Sequence, residues 1–404
     1  MRLKPELSNL GQRLGEFAAQ FEEKARSQAG REDPARAASI LRSVWQSLKD
    51  LFTQGVTGEG LRNLYQREAQ ETLRFFTREI DFAALRPLPW YLRYPKTCWL
   101  IFLAMAYRLS PPRRLAFAIA AFAFVMGWLR LLGGQSNAAW WFLALLIFLL
   151  LLLMELRDKL DLKGDLEVAR EIQFGLVPAT PFHQEAMRID CHMRPANTVG
   201  GDYYDLIELE GPHQVAIVVG DVAGKGMPAA LLMALLQGSL RTLISAGLHG
   251  TELLAKLNSY LCTTIPSNSL ITLFYGELDT WTGDLRFINA GHNAPFLLRQ
   301  KGASERLHST SVVLGVVKDC PFKSGQARLD AGDRLLVFTD GVSEAFNAHL
   351  EEYGETRLAE FLRDHLDLRQ DQLIEGLIAE VLNFCGSVKP SDDMTLMLVS
   401  RASS

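Results

Sequence analysis

From Pro34 to Phe82 apolar residues recur at three- and four-residue steps among charges, as at Leu41, Val44, Trp45, Leu48 and Leu51. That period predicts helix, and Gly55 to Gly60 divides the run into a hairpin or small bundle. Between Thr97 and Met154 the polar face disappears. Leu115 to Leu129 is an uninterrupted apolar stretch, and Ala138 to Met154 carries no charge. Each approaches the ~20 residues a helix needs to cross a bilayer, and Gly133 to Asn137 supplies a polar turn between them. Arg113 and Arg114 precede the first stretch, Arg157 and Lys159 follow the second, and Trp140 and Trp141 sit at the outer boundary. The positive-inside bias then places both ends of a two-helix hairpin in the cytoplasm. Cys98 to Tyr107 is apolar but too short to cross alone. It predicts an interfacial or re-entrant helix, with a third crossing as the alternative; an even number of crossings keeps the N-terminal region on the catalytic side.

From Glu155 to Phe174 the pattern is that of a charged helix, with Leu162, Leu166, Ala169 and Leu176 at near-heptad spacing that Gln173 interrupts. So short a heptad predicts weak pairing of two protomers and suits a two-state linker. Beyond it the period shifts toward two. Strands are predicted at Arg188 to Met193, Tyr203 to Ile207, Val215 to Val219, Ile271 to Leu278, Leu285 to Ala290, Pro295 to Leu298, Leu335 to Phe338 and Met394 to Val399. Helices are predicted at Met227 to Ala246, Thr251 to Thr264, Arg357 to His365 and Gln372 to Phe384, and Asp279 to Asp284 reads as a hairpin turn. The fold class is therefore α+β, a mostly antiparallel sheet with a helical layer. Four regions result: residues 1–95, a helical cytoplasmic region and candidate sensor; 96–154, a membrane region with spans at about 115–132 and 138–154; 155–177, a linker or switch helix; and 178–404, the catalytic domain.

Composition narrows the function. A formal charge of −4 over 404 residues, with no long basic block, argues against nucleic acid as a partner. Five scattered cysteines, Cys98, Cys191, Cys262, Cys320 and Cys385, form no CxxC pair and suggest neither a disulfide framework nor a zinc knuckle. The first twenty residues lack the apolar stretch of a secretory signal.

Chemistry concentrates in four aspartate motifs: Gly200-Gly201-Asp202-Tyr203-Tyr204-Asp205, Gly220-Asp221-Val222-Ala223-Gly224-Lys225-Gly226, Phe338-Thr339-Asp340-Gly341 and Ser391-Asp392-Asp393-Met394-Thr395. In three of them an apolar strand delivers or adjoins a carboxylate at a turn. Carboxylates gathered in a poorly solvated site repel one another. Hard divalent cations remove that repulsion, and an all-oxygen donor set suits Mg²⁺ or Mn²⁺ better than zinc. Two such ions can activate water and clamp a phosphoryl group. Any one Gly-Asp pair is an ordinary turn signal; the four in this order are far more specific.

In the order GGDYYD, GDVAGKG, NAGHN, FTDG and SDDMT the chain resembles the bacterial SpoIIE (RsbU-like) branch of the metal-dependent PPM (PP2C-like) protein phosphatases, and Leu166 to Pro178 resembles the helix preceding that domain. The resemblance covers roughly residues 160–400. It implies an αββα sandwich, two packed antiparallel sheets flanked by helices, and a protein serine/threonine phosphatase requiring two Mn²⁺ or Mg²⁺ ions. Asp221 would bridge the metals, Asp340 and Asp392 would complete one, and Asp202 with the Val222 carbonyl would serve the other. Asp205, Lys225, His292 and Asp393 are candidates for supporting or substrate contacts. The eukaryotic-type relatives carry a histidine in the glycine loop; GDVAGKG has none. The resemblance also implies a phosphorylated STAS-type anti-sigma-factor antagonist as substrate, in a partner-switching pathway. With the membrane region this predicts a multi-pass protein of the inner membrane, in contact with lipid and dimeric.

Three rivals are weighed. A Walker loop would need glycine at 219 and Ser or Thr at 226, where Val219 and Gly226 stand. A GGDEF cyclase signature would need Glu and Phe in place of Tyr203 and Tyr204. A non-catalytic receptor or scaffold would be marked by loss of a metal aspartate, and none is lost.

Overall fold

In a computed structural model, which describes residues 85, 89–134, 138–300 and 302–402, the chain divides into two units, Met1–Glu155 and Leu156–Ser404. The helices expected between Pro34 and Phe82 lie outside the described residues.

The first unit contains α1 (Trp90–Arg108), α2 (Pro111–Leu132) and the beginning of α3 (Ala138–Leu176). Proline at the first position of α2 costs no hydrogen bond there, and Gly133 follows its last turn. α2 and the first part of α3 pack antiparallel. Arg113 pairs with Glu155 at 3.3 Å at one end, and the rings of Phe124 and Trp128 meet Trp141 edge-on at the other. The missing side chain of Gly127 admits the Trp141 indole, which would lie 2.8 Å from a Cβ. α1 packs on α2 through Phe102 and Phe117. It is longer than the Cys98 to Tyr107 segment, because the helix runs back through Pro95 to Trp90. α3 likewise continues past the expected end of the second span at Met154 as one helix to Leu176.

The second unit is built by alternation. Its strands are β1 (Phe182–Gln184), β2 (Met187–Arg194), β3 (Tyr203–Glu208), β4 (Gln214–Val222), β5 (Ile271–Asp279), β6 (Asp284–Ala290), β7 (Phe296–Leu298), β8 (Ser304–Arg306), β9 (Gly325–Arg328), β10 (Arg334–Phe338) and β11 (Met394–Arg401). Its helices after α3 are α4 (Met227–Ser245), α5 (Gly250–Thr264), α6 (Asp340–Ser343), α7 (Gly354–Asp364) and α8 (Gln370–Cys385). The strands form two sheets, ordered β1-β2-β11-β10-β7-β8 and β3-β4-β5-β6-β9. Within both sheets the paired strands run antiparallel.

Successive side chains on a strand point to opposite faces. Val215, Ile217 and Val219 of β4 accordingly meet Leu335 and Val337 of β10 and Met397 and Val399 of β11 in a layer between the sheets. Ala216, Val218 and Val222 face the other way, against Met233, Leu236 and Leu240 of α4 and Leu253, Leu257 and Leu261 of α5. Leu336, Phe338, Leu396 and Leu398 of the first sheet turn outward onto Leu358, Leu362, Leu373 and Leu377 of α7 and α8. Near-continuous apolar strands are thus explained by burial on both faces, and the order is helix, sheet, sheet, helix. β1, β8 and β9, absent from the expectation, have three or four residues each, too few for a period to show.

Among the described residues three helices are long and apolar enough to cross a membrane: α2, α3 and α4. α4 is a core helix by its contacts, since Met233, Leu236, Leu240 and Ile244 are buried against the second sheet.

One ion pair, from a half-exposed arginine to a buried carboxylate, pins α4 to this sheet. Arg241 donates twice to Asp205 on β3, at 2.7 and 2.6 Å, and the Tyr203 hydroxyl adds a third bond at 2.6 Å. Asp205 is fully buried. Arg241 is exposed along part of its length, but its loss leaves the buried Asp205 without its cation, so Arg241→Met is expected to destabilise the domain by about 2 kcal/mol. Adding Asp205→Asn should recover part of the loss, and pulse proteolysis of the full chain in urea measures both.

Candidate metal centre

The four aspartate motifs fall at strand ends that antiparallel pairing brings together. Tyr203 at the start of β3 pairs with Gly220 near the end of β4; Asp202 and Asp221 are the next residues outward in that register. In the other sheet β10 ends at Phe338, which pairs with Leu396 near the start of β11. Asp340 follows the one strand, and Asp392 and Asp393 precede the other. The start of one strand lies beside the end of its antiparallel neighbour. Each sheet therefore sends its carboxylates to one edge, and the face-to-face packing of the sheets joins the two edges.

Three contacts close that seam. The Asp393 carboxylate accepts the backbone N–H groups of Ala196 and Gly201, each at 2.7 Å. The Thr339 hydroxyl donates to Asp202 at 2.8 Å and accepts the N–H of Thr395 at 2.9 Å. Lys225 reaches Asp392 at 2.9 Å and donates to the Ser391 carbonyl at 2.5 Å. The glycines are required by proximity. A Cβ on Gly200 would strike the Asp393 carboxylate, and one on Gly341 would strike the Asp393 carbonyl. The Val222 carbonyl points at Gly201, 2.8 Å from where a Cβ would stand, and so lies next to Asp202.

Electrostatics marks the cluster. Burial, reinforced by the Asp221 charge, pushes Asp202 well above the usual carboxylate range. Asp221 is pushed up to about 7, first by burial and then by the charges of Asp340, Asp392 and Asp393, against the relief of Lys225. Asp340 is pushed up to about 6 by burial and by Asp392. Burial raises Asp393 as well, although the N–H groups it accepts work in the other direction. Among the described residues no three acidic, His or Cys side chains are gathered closely enough to hold a metal ion as they stand. The donor set still fits hard divalent cations: four carboxylates and a carbonyl on one seam, mutually repelling, with an ammonium group already drawn to Asp392.

The remaining sequence candidates separate. Asp205 is absorbed by Arg241 and Tyr203 and faces α4. His292 is buried, its Nδ1 is 2.9 Å from the Thr272 hydroxyl, and burial lowers its pKa to about 4. Burial thus favours the neutral imidazole. Gln173 is not a defect in a helical seam. It is buried and bonded to Gly200, because the last turn of α3 docks on the domain there. Sequence reading missed Thr339 as a partner of Asp202; its place between the apolar run Leu335 to Phe338 and Asp340 was the available signal.

Comparison with known proteins bears on the fold that carries this site. Residues 211–402 match the family described as Stage II sporulation protein E (SpoIIE). The C-terminal unit is a SpoIIE/RsbU-like PPM phosphatase domain. The chain is 27% identical over 244 residues to the phosphoserine phosphatase RsbU of Bacillus subtilis, covering 60% of this chain and 71% of RsbU. It is 29% identical over 265 residues to protein IcfG of Synechocystis sp., covering 59% of this chain but only 41% of IcfG. In structure the PPM domain superposes on the SiaA-PP2C domain of Pseudomonas aeruginosa with a TM-score of 0.53 at 22% identity, over 60% of this chain and 98% of that domain.

A pH dependence follows. Asp221 and Asp340 hold protons more tightly folded than unfolded. Their contribution to the metal-free fold is complete below the ordinary value of 3.8 and is lost as pH rises through about 6 and about 7. Metal-free protein is therefore expected to melt at lower temperature at pH 7.5 than at pH 5. Affinity for Mn²⁺ should run the opposite way and rise over the same interval, because the cation displaces those protons. Melting in chelator and Mn²⁺ titration at each pH check the two signs.

Proposed function

We propose that this protein is a membrane-anchored, divalent-metal-dependent phosphatase acting on phosphoserine or phosphothreonine of a regulatory protein. The observation that carries the reading is the convergence of Asp202, Asp221, Asp340 and Asp392 from both sheets onto one seam, with two of them pushed up to about 7 and about 6. In this reading Asp221 would be shared by two Mn²⁺ or Mg²⁺ ions, Asp340 and Asp392 would help hold one, and Asp202 and the Val222 carbonyl the other. When bound, the pair of cations supplies an activated water and a clamp on the phosphoryl oxygens. The chain's own groups do the rest. Asp393 and Thr339 hold the Asp202 turn, and Lys225, half-exposed at the edge of the cluster, is placed to turn from Asp392 to a phosphoryl oxygen.

RsbU is by name a phosphoserine phosphatase. That supports a phosphoserine substrate here, and a STAS-type anti-sigma-factor antagonist in a partner-switching pathway is the specific partner we propose. For the membrane region we propose that α2 and the first part of α3 cross the inner membrane as a hairpin, with α1 at the interface and the PPM domain in the cytoplasm, in a dimer joined through residues 155–177. The basic residues Arg113, Arg114, Arg157 and Lys159 at one end of the hairpin support that orientation.

Asp221→Asn should lower aryl-phosphatase activity at moderate Mn²⁺ by at least about a thousandfold, since losing a shared ligand costs both ions, while the variant remains folded. Wild-type activity lost to EDTA should return on adding Mn²⁺ or Mg²⁺. Near-normal activity of the variant, or full activity after exhaustive chelation, contradicts the assignment.

Reporter fusions at residue 1 and at residue 404 should both give the cytoplasmic readout. A periplasmic signal at the N-terminal fusion would instead make α1 a third span.

A further inference from the structure

The last turn of α3 carries a polar side chain that none of the chemistry above uses. Gln173 is only 4% exposed. Its Nε2 donates to the Gly200 carbonyl at 2.8 Å, and its Oε1 accepts the Gly200 N–H at 3.2 Å. One side-chain amide thus satisfies both backbone groups of a single buried residue, and deleting it would orphan both. Gly200 has no room to adjust, because the Asp393 carboxylate fills the space a Cβ would take and itself holds the N–H of Gly201. The Gly200-Gly201 turn is therefore gripped from two sides, by Asp393 of the first sheet and by Gln173 of α3. Asp202 is the next residue.

The neighbours of Gln173 strengthen its part. Ile172 and Phe174 are exposed, and the apolar packing at this end comes from Val177, just past the last turn. Gln237 of α4 fixes the helix end, donating to the Leu176 carbonyl at 2.5 Å. With Val177, the polar contacts at Gln173 and Leu176 hold the end of α3 on the domain, and of these only Gln173 reaches the turn before Asp202.

We infer that Gln173 is a positioning residue for metal binding: through Gly200 it holds Asp202 where a divalent cation can use it, so the docking of the last turn of α3 sets the affinity of that cation. The inference rests on the reading of Asp202 as a metal ligand.

Gln173→Met keeps the length and apolar stem of the side chain and removes both hydrogen bonds. Gln370→Met is the matched control. It too replaces a buried glutamine bonded to backbone, at the Leu398 carbonyl, but near the end of β11 away from the seam. Both variants and the wild type are studied as full chains in detergent by two measurements independent of turnover: Mn²⁺ titration followed by EPR, and amide exchange of the metal-free protein over residues 196–204. Gln173→Met should need at least tenfold more Mn²⁺ to fill the weaker site, and its peptide should exchange at least tenfold faster; Gln370→Met should match the wild type in both. Should Gln173→Met fail to fold, Gln173→Asn, which stays polar but falls short of Gly200, is held to the same two criteria. Unchanged Mn²⁺ affinity in a folded Gln173 variant overturns the inference and leaves the metal site standing, and so does an equal loss in Gln370→Met. If the wild type itself binds no Mn²⁺, the metal reading falls and takes this inference with it.

Discussion

Like charges held close together in a poorly solvated seam are the constraint on which the rest of this domain depends. Asp202, Asp221 and Asp340 are each raised by burial and by carboxylates around them, and such a cluster would fly apart if it were borne by flexible loops. It is borne instead by the ends of four strands whose interiors are locked in three apolar layers. The rigid core thus opposes the repulsion, and the repulsion creates the demand for cations.

The backbone around the seam is arranged to serve that end. Asp393 spends its carboxylate on the N–H groups of Ala196 and Gly201, and Thr339 spends its hydroxyl on Asp202. Both contacts run from the first sheet to the turn that opens the second, so the relative placement of the sheets and the geometry of the site are one problem. Gly200 and Gly341 are glycines because the chain passes too close to Asp393 for any side chain.

Support from outside the seam comes from the helices. The Arg241–Asp205 pair ties α4 to the strand that follows Asp202, and Gln173 ties α3 to the turn before it. The segment that carries Asp202 is therefore bracketed by polar contacts to two helices.

Much of this was legible in the sequence alone. The aspartate motifs, their order, the strands that carry them and the two charge-free stretches upstream are local features, written in short windows by period and by turn chemistry. Strand period also carries the division of β4 into two faces, since Val215, Ile217 and Val219 alternate with Ala216 and Val218. What only the tertiary structure decided were contacts between residues far apart in the chain. Gln173 looked like a flaw in a heptad because periodicity sees one helix, whereas its partner, Gly200, is 27 positions away. Asp205 meets Arg241, 36 positions away, and His292 is kept neutral by burial, neither of which its own motif announces. Local pattern determines which segments become strands and helices; which polar group meets which is settled by the packing of the layers, where an unpaired buried donor or charge costs too much to leave.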